Sequence, residues 1–374
     1  MRANAAGGSV ASPARRLRRA FGKAARAARA DAFLVTKPED VRYLTGFTGE
    51  DSYLLAHRRG GVLLTDGRFD EQAHAECPGV EVFIRQGGMS EAVAKEARRL
   101  RLRRLGVQGG HTTLFLKDAL AKTGAFRKIV PVADVVGELR IVKDEREIAT
   151  IVRAVRIAER GFQQLLALGR RWWIGRTERE LAAELDHRMR LAGAAGPSFE
   201  TIVAVGPHAS LPHYRPGGTR VGNDCLVLID WGARVAGYCS DLTRVVRVGR
   251  IPPRLVEVYR AVERAQAAGL AALRGGIRAA SADRAARRAI ESAGYGKQFV
   301  HGLGHGVGLE IHEAPSLGRL SKARLRSGMV VTVEPGIYLP GVGGVRIEDD
   351  AVVTSAGSRR LSRLPRDLES MTVR

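Results

Sequence analysis

Through the first third of the chain, short apolar runs alternate with segments of helical period. Ala32-Phe-Leu-Val, Tyr53-Leu-Leu-Ala, Gly61-Val-Leu-Leu-Thr, Val80-Glu-Val-Phe-Ile and Leu105-Gly-Val-Gln read as strands. Between them, residues 67–76, 90–103 and 113–123 carry apolar positions at helical spacing. This alternation predicts an α/β domain. Ahead of it, an Ala- and Arg-rich arm is expected to lead into a first helix over about residues 13–29.

The pattern changes after a connecting stretch, residues 131–143. Asp144 starts a long helix to about Leu168, with Asp144, Glu145 and Glu147 suited to the positive end of the helix dipole. A second helix begins at Thr177, where Glu180 three residues on completes a capping-box pattern. From residue 199 strands dominate, over 200–205, 224–231, 237–247, 329–334 and 344–354, with helices near 254–274 and 281–293. Strands and helices segregated in this way predict an α+β second domain. The expected division is a basic arm over 1–28, an α/β domain over 29–134 and an α+β domain over 135–374.

Composition adds constraints. At 374 residues, 45% hydrophobic and 27% charged, the chain is globular in character, and no apolar run approaches the roughly 20 residues that span a bilayer. Cys77, Cys225 and Cys239 are odd in number and lack redox or metal-site spacing, which points to a reducing, cytoplasmic setting. The net charge is +22, and residues 1–30 hold eight Arg or Lys and no acid. Such a surface attracts polyanions weakly. No nucleic-acid-reading motif accompanies it and aromatic residues are only 5%, so an arginine-rich solvated surface is expected and no dedicated nucleic-acid site.

The candidate chemistry lies in the second domain. Asp230 ends the apolar run from Cys225, and Asp241 sits in Tyr238-Cys-Ser-Asp-Leu-Thr-Arg, across a turn through Gly232 and Gly237. Two antiparallel strands joined there could place both carboxylates on one face, although either Asp alone reads more readily as a turn residue. From His301 to His312 the chain packs three of its nine His among four Gly, and imidazole is the commonest nitrogen ligand of metals. Glu334 follows Met329-Val-Val-Thr-Val, where a charge needs a partner or a metal. Glu348 closes Val345-Arg-Ile-Glu, with a buried Arg346–Glu348 ion pair as the plainer alternative. Four carboxylates and one imidazole suit two divalent ions sharing oxygen ligands.

In these frames the order Asp, Asp, His, Glu, Glu resembles the pita-bread metallopeptidase family, M24, which includes methionine aminopeptidase, Xaa-Pro aminopeptidase and Xaa-Pro dipeptidase (prolidase). The segment 31–125, with Pro38-Glu-Asp-Val-Arg-Tyr-Leu-Thr-Gly-Phe and Leu64-Thr-Asp-Gly-Arg-Phe, resembles the creatinase-type N-terminal domain of the proline-directed branch. The fold implied is a creatinase-like α/β domain followed by an α+β pita-bread catalytic domain. The resemblance implies that Asp230 chelates one ion, that His305 and Glu334 bind the other, and that Asp241 and Glu348 bridge them around a water or hydroxide. Glu334 is then the proton shuttle. His213 and His312 match family histidines that contact substrate, and His301 matches a further pocket histidine. Arg346 and Tyr338 match residues that support the metals.

The intact ligand set argues against creatinase, and the N-terminal domain argues against methionine aminopeptidase. Hydrolysis of the Xaa-Pro bond by an Xaa-Pro aminopeptidase is therefore the expected activity, with prolidase as the alternative. A silent fold that binds nucleic acid or protein is the alternative of another class. The resemblance also implies two divalent ions per subunit, Mn²⁺ first and Co²⁺, Zn²⁺ or Fe²⁺ as alternatives, and a homodimer. Two departures stand out: His208 occupies a position where relatives commonly carry Asn, and Trp172-Trp173 stands in place of a short linker. The first is expected to alter a substrate-side hydrogen bond; the second is either packing or a substrate rim.

Overall fold

In the computed structural model, which describes residues 12–374, the chain divides into two compact units, Met1–Arg140 and Ile141–Arg374. Residues 1–11 of the expected arm lie outside the described residues. The following helix, Pro13–Ala28, begins where the Ser12 side chain accepts from the Arg15 amide, with Pro at its first position. Prolines are favoured there because that N–H has no helical partner. Its Leu17, Ala20, Ala24 and Ala28 are buried, so this helix belongs to the body of the first unit.

The first unit is built on a six-stranded sheet in the order Glu81–Arg85, Gly60–Asp66, Tyr53–His57, Ala32–Val35, Arg104–Gln108, Lys128–Val132. Its first three strands in sequence pair antiparallel, and the outer three join parallel to their neighbours. Helices Asp70–Glu76, Met89–Arg99 and Leu114–Lys122 fall where the periodicity places them. Three elements were not read from the pattern. Pro38–Thr45 is a helix, Lys128–Val132 is a strand that runs into the expected connection, and Gly137–Arg140 is a short helix inside it. The strand contains Pro131, which lacks an amide donor, and it lies at the sheet edge where none is needed.

In the second unit the helix Glu145–Leu166 starts with both halves of a capping box: Glu147 N donates to Asp144 Oδ1 (3.0 Å) and Asp144 N to Glu147 Oε2 (2.9 Å). The helix Glu178–Leu191 has the second, between Thr177 and Glu180. Between them Gly169–Trp173 makes a short helix. Trp173 is fully buried and its Nε1–H donates to Leu165 O at 3.0 Å, so this aromatic pair is packing and not a substrate rim.

Two sheets carry the site. One orders Thr372–Val373, Leu242–Val248, Cys225–Trp231 and Ile202–Val205. The other orders Glu313–Leu317, Gly304–Gly306, Val330–Val333, Asp349–Val353 and Ser358–Arg360, and a hairpin joins Gly336–Leu339 to Gly343–Arg346. Two strands expected to be continuous are interrupted. The 237–247 run breaks at Ser240-Asp241, and the 344–354 run breaks at Ile347-Glu348. A lone bridge between Thr243 and Glu348 spans the two sheets. Carboxylates on an unbroken strand would be held at the pleat's fixed spacing; the breaks free them to converge. Helices Pro253–Ala272 and Ala279–Ser292 cover the outer face through a continuous apolar core that includes Tyr259, Val262 and Ile290.

Candidate metal centre

Asp230 is paired with Thr243 in the register of the antiparallel strands. Asp241 sits at the break just ahead of the strand Leu242–Val248, two residues before Thr243, and its carboxylate converges with that of Asp230. The turn between them requires glycine: a Cβ on Gly232 would sit 1.8 Å from the Ser240 carbonyl oxygen. Both carboxylates reach a cavity of about 450 Å³, which His305, Glu334 and Glu348 also line. All five expected ligands are therefore brought together. Within this set, one donor atom each from Asp241, His305 and Glu348 lies within 4.8 Å of the others.

The histidine is oriented for ligation. His305 Nδ1 lies 3.0 Å from the Gly306 carbonyl, which can only accept, so Nδ1 carries the proton. The lone pair on Nε2 then faces Asp241 Oδ2 at 3.6 Å and Glu334 Oε1 at 3.4 Å. Burial lowers the pKa of His305 to about 4, keeping the ring neutral. Its amide is held by Thr332 Oγ1 at 3.0 Å.

Arg346 organises the acids. Its Nη2 donates to Asp230 Oδ2 at 2.6 Å, its Nε to Thr243 Oγ1 at 3.1 Å and its Nη1 to the Tyr338 hydroxyl at 2.9 Å. The ion pair of Arg346 is thus with Asp230, and the plainer Arg346–Glu348 pairing is not what forms. Glu348 instead accepts from Thr243 Oγ1 at 2.6 Å. Tyr338 sits behind the cavity wall, linking Arg346 to His301 Nε2 at 2.9 Å. With His301 Nδ1 donating to Gly302 O, the tyrosine hydroxyl is the donor to Nε2. Burial brings His301 down to about 4 as well. His213 and His312 line the same cavity, and the His312 ring packs edge-on 4.3 Å from that of His305.

Four acids against one arginine leave excess negative charge in a buried place. Burial pushes Asp241 and Glu348 well above the carboxylate range, with the neighbouring carboxylates adding to the rise. Burial raises Glu334 to about 7, against the lowering effect of Arg346. Asp230 Oδ1 is buried with no hydrogen-bond partner. An oxygen-rich donor set with one neutral imidazole, an unmatched charge and an orphaned carboxylate oxygen is what a divalent cation completes. The residues fit the metal.

Some of the surround was not foreseen. Thr243 bonds both Glu348 and Arg346, and Asp350 Oδ2 accepts the Asp241 amide at 3.0 Å. Thr243 had a signal, the two-residue offset from Asp241; Asp350 had none, because it acts on backbone distant in sequence. His208 turns away from the expected substrate side. Its Nδ1 meets the buried Glu178 at 2.9 Å and its ring stacks on Tyr214.

The arrangement has counterparts among known proteins. Residues 149–355 match the model of metallopeptidase family M24, and residues 16–142 match the creatinase/prolidase N-terminal domain. The chain is 36% identical to an Xaa-Pro dipeptidase of Pyrococcus horikoshii, covering 90% of this chain and 94% of that protein. The structure of an Xaa-Pro dipeptidase from Bacillus anthracis superimposes with a TM-score of 0.90 at 37% identity, over 96% of this chain and 99% of that one. An X-Pro aminopeptidase structure from Thermotoga maritima gives 0.87 at 36% identity, over 94% and 99%. An acid-rich, neutral-histidine cavity on a pita-bread scaffold that follows a creatinase-type domain in the sequence, together with these matches, makes the chain a member of the metal-dependent peptidase family M24.

Proposed function

We propose that the protein hydrolyses Xaa-Pro dipeptides with two divalent metal ions, Mn²⁺ foremost, held by Asp230, Asp241, His305, Glu334 and Glu348. The similarity over some nine-tenths of the chain to proteins described as Xaa-Pro dipeptidases carries this choice. It moves the weight from the aminopeptidase expected on sequence to its prolidase alternative. The likeness to the Thermotoga maritima X-Pro aminopeptidase favours the second reading, cleavage of the same bond in longer peptides. A homodimer in the cytoplasm belongs to the same proposal; the three free cysteines fit a reducing compartment.

Bound divalent ions supply Lewis acidity, polarising the scissile carbonyl and acidifying water. The chain's own residues do the rest. Glu334, on the cavity wall, takes a proton from the attacking water and returns it to the proline nitrogen as the bond breaks. His213 and His312, both on the cavity wall, donate to the substrate carbonyl as its oxygen gains charge. Arg346 and Tyr338 hold Asp230 and His301 in place. Proline offers no amide hydrogen and a fixed φ, so recognition falls to shape, for which Phe199, Ile202 and Tyr214 supply apolar walls.

Turnover of Xaa-Pro and Xaa-Pro-Yaa peptides by purified protein with Mn²⁺ tests the proposal. Cleavage of dipeptides is expected. Activity confined to the longer peptides selects the aminopeptidase reading, and no cleavage of either with Mn²⁺ or Co²⁺ removes both.

A further inference from the structure

One buried acid plays no part in the centre described above. Glu178, the first residue of the helix Glu178–Leu191, is fully buried, with its two carboxylate oxygens facing four donors. Oε1 accepts from the Val205 amide at 2.9 Å and meets His208 Nδ1 at 2.9 Å. Oε2 accepts from the Tyr214 hydroxyl at 2.8 Å and the Gly217 amide at 2.9 Å. These partners bracket one segment, from the end of the strand Ile202–Val205 to Gly217, and His213 lies inside it.

The segment is held on its other side by the centre itself. Arg346 Nη1 donates to Pro212 O at 3.3 Å. The hairpin strand Gly343–Arg346 approaches so closely that a Cβ on Gly344 would lie 2.0 Å from Ala209 O. Otherwise the segment is short of regular structure beyond the single turn Gly206–Ser210, and His213 itself is exposed to the cavity. Among the described residues none hydrogen-bonds the His213 side chain, so its position follows from the backbone that carries it. That backbone is clamped from below by one carboxylate, whose place at a helix N-terminus favours negative charge.

We propose that Glu178 is a positioning residue for the reaction: it clamps residues 205–217 and thereby places His213, with Tyr214 beside it, on the wall of the metal cavity. His208 belongs to this clamp and not to the substrate contacts, sealing it by stacking on Tyr214 with ring centroids 4.5 Å apart. The inference rests on the functional reading for its kinetic arm only. A Glu178→Gln side chain keeps the shape but offers one acceptor oxygen to four donors and adds two N–H groups of its own. At least part of the clamp is then lost, and charge-assisted bonds of this kind are worth about 1.5–3 kcal/mol each.

The test couples Glu178 to His213 in the Mn²⁺-loaded protein. Glu178→Gln is expected to lower kcat/KM for Xaa-Pro substrates about ten- to a hundredfold, the rate equivalent of that loss. In the His213→Ala background the same change should cost less than about twofold, because the group it places is gone. Hydrogen exchange should quicken across residues 205–217 more than over the rest of the second unit. Tyr214→Phe removes one donor and leaves the carboxylate the other three, so it serves if Glu178→Gln does not fold, with an effect of about tenfold or more, the size of one bond to a charged group. Losses that add fully in the double variant, or exchange that stays unchanged, overturn the proposal. A wild-type protein inert towards Xaa-Pro peptides defeats the functional reading instead, and the exchange measurement still decides the clamp.

Discussion

Glu348 and Asp349 are neighbours in the chain with opposite surroundings. Asp349 is fully buried in a matched network: Arg244 Nη2 donates to its Oδ1 at 2.7 Å and Gln266 Nε2 to its Oδ2 at 2.8 Å. Arg244, also fully buried, uses its other nitrogens on the carbonyls of Thr243, Glu348 and Pro365. One residue back, Glu348 faces Asp241, Glu334 and Asp230 with a single arginine among them. Where charge serves the fold, the protein supplies its own counter-charge. Where it serves chemistry, part of the balance is left to a metal, and the cost appears as raised carboxyl pKa values and an unpaired Asp230 oxygen.

That contrast can be broken at several points. Asp241→Ala should cost the most activity, at least about a hundredfold, since even losses behind a ligand reach that scale. Because it relieves acid crowding, the metal-free variant should melt no lower than metal-free wild type; a clear drop would mean the acid is structural. Arg244→Ala has the opposite signature. It strands Asp349 and should destabilise by about 3–5 kcal/mol in urea unfolding, and a loss under about 1 kcal/mol would deny the network its role.

Metal itself comes next. Chelator treatment followed by Mn²⁺ at a hundred times its dissociation constant should restore about 2.7 kcal/mol of stability. A thermal midpoint indifferent to Mn²⁺ speaks against an ion at this centre. Thr243→Val touches both sides, removing donors and acceptors to Glu348 and Arg346. Metal affinity should weaken about tenfold or more with only about 1 kcal/mol lost in stability. Unaltered affinity by calorimetry would confine Thr243 to packing.

Much of the fold was legible as pattern. The Thr177–Glu180 capping box, the acid-led helix start at Asp144, the alternating first unit and the segregated second followed from local rules that neighbours in sequence satisfy by themselves. The misses have local reasons as well. Pro131 disguised an edge strand, and the Arg-rich composition around Trp172 and Trp173 left packing and a substrate rim both open until the structure placed them in the core. At the site, the types and order of Asp230, Asp241, His305, Glu334 and Glu348 were readable because charges and histidines interrupting apolar runs are costly without a purpose.

What the amino-acid order determined by itself is the inventory: five candidate donors, most of the strands beside them and the helices that cover them. Tertiary structure alone decided the partnerships. Arg346 chose Asp230 over the nearer-in-sequence Glu348, Asp350 took the Asp241 amide, and Glu178 gathered Val205, His208, Tyr214 and Gly217. Periodicity governs which face a side chain takes. Which acid meets which base depends on where strands break and how closely two backbones approach, and those distances exist only once the sheets have packed.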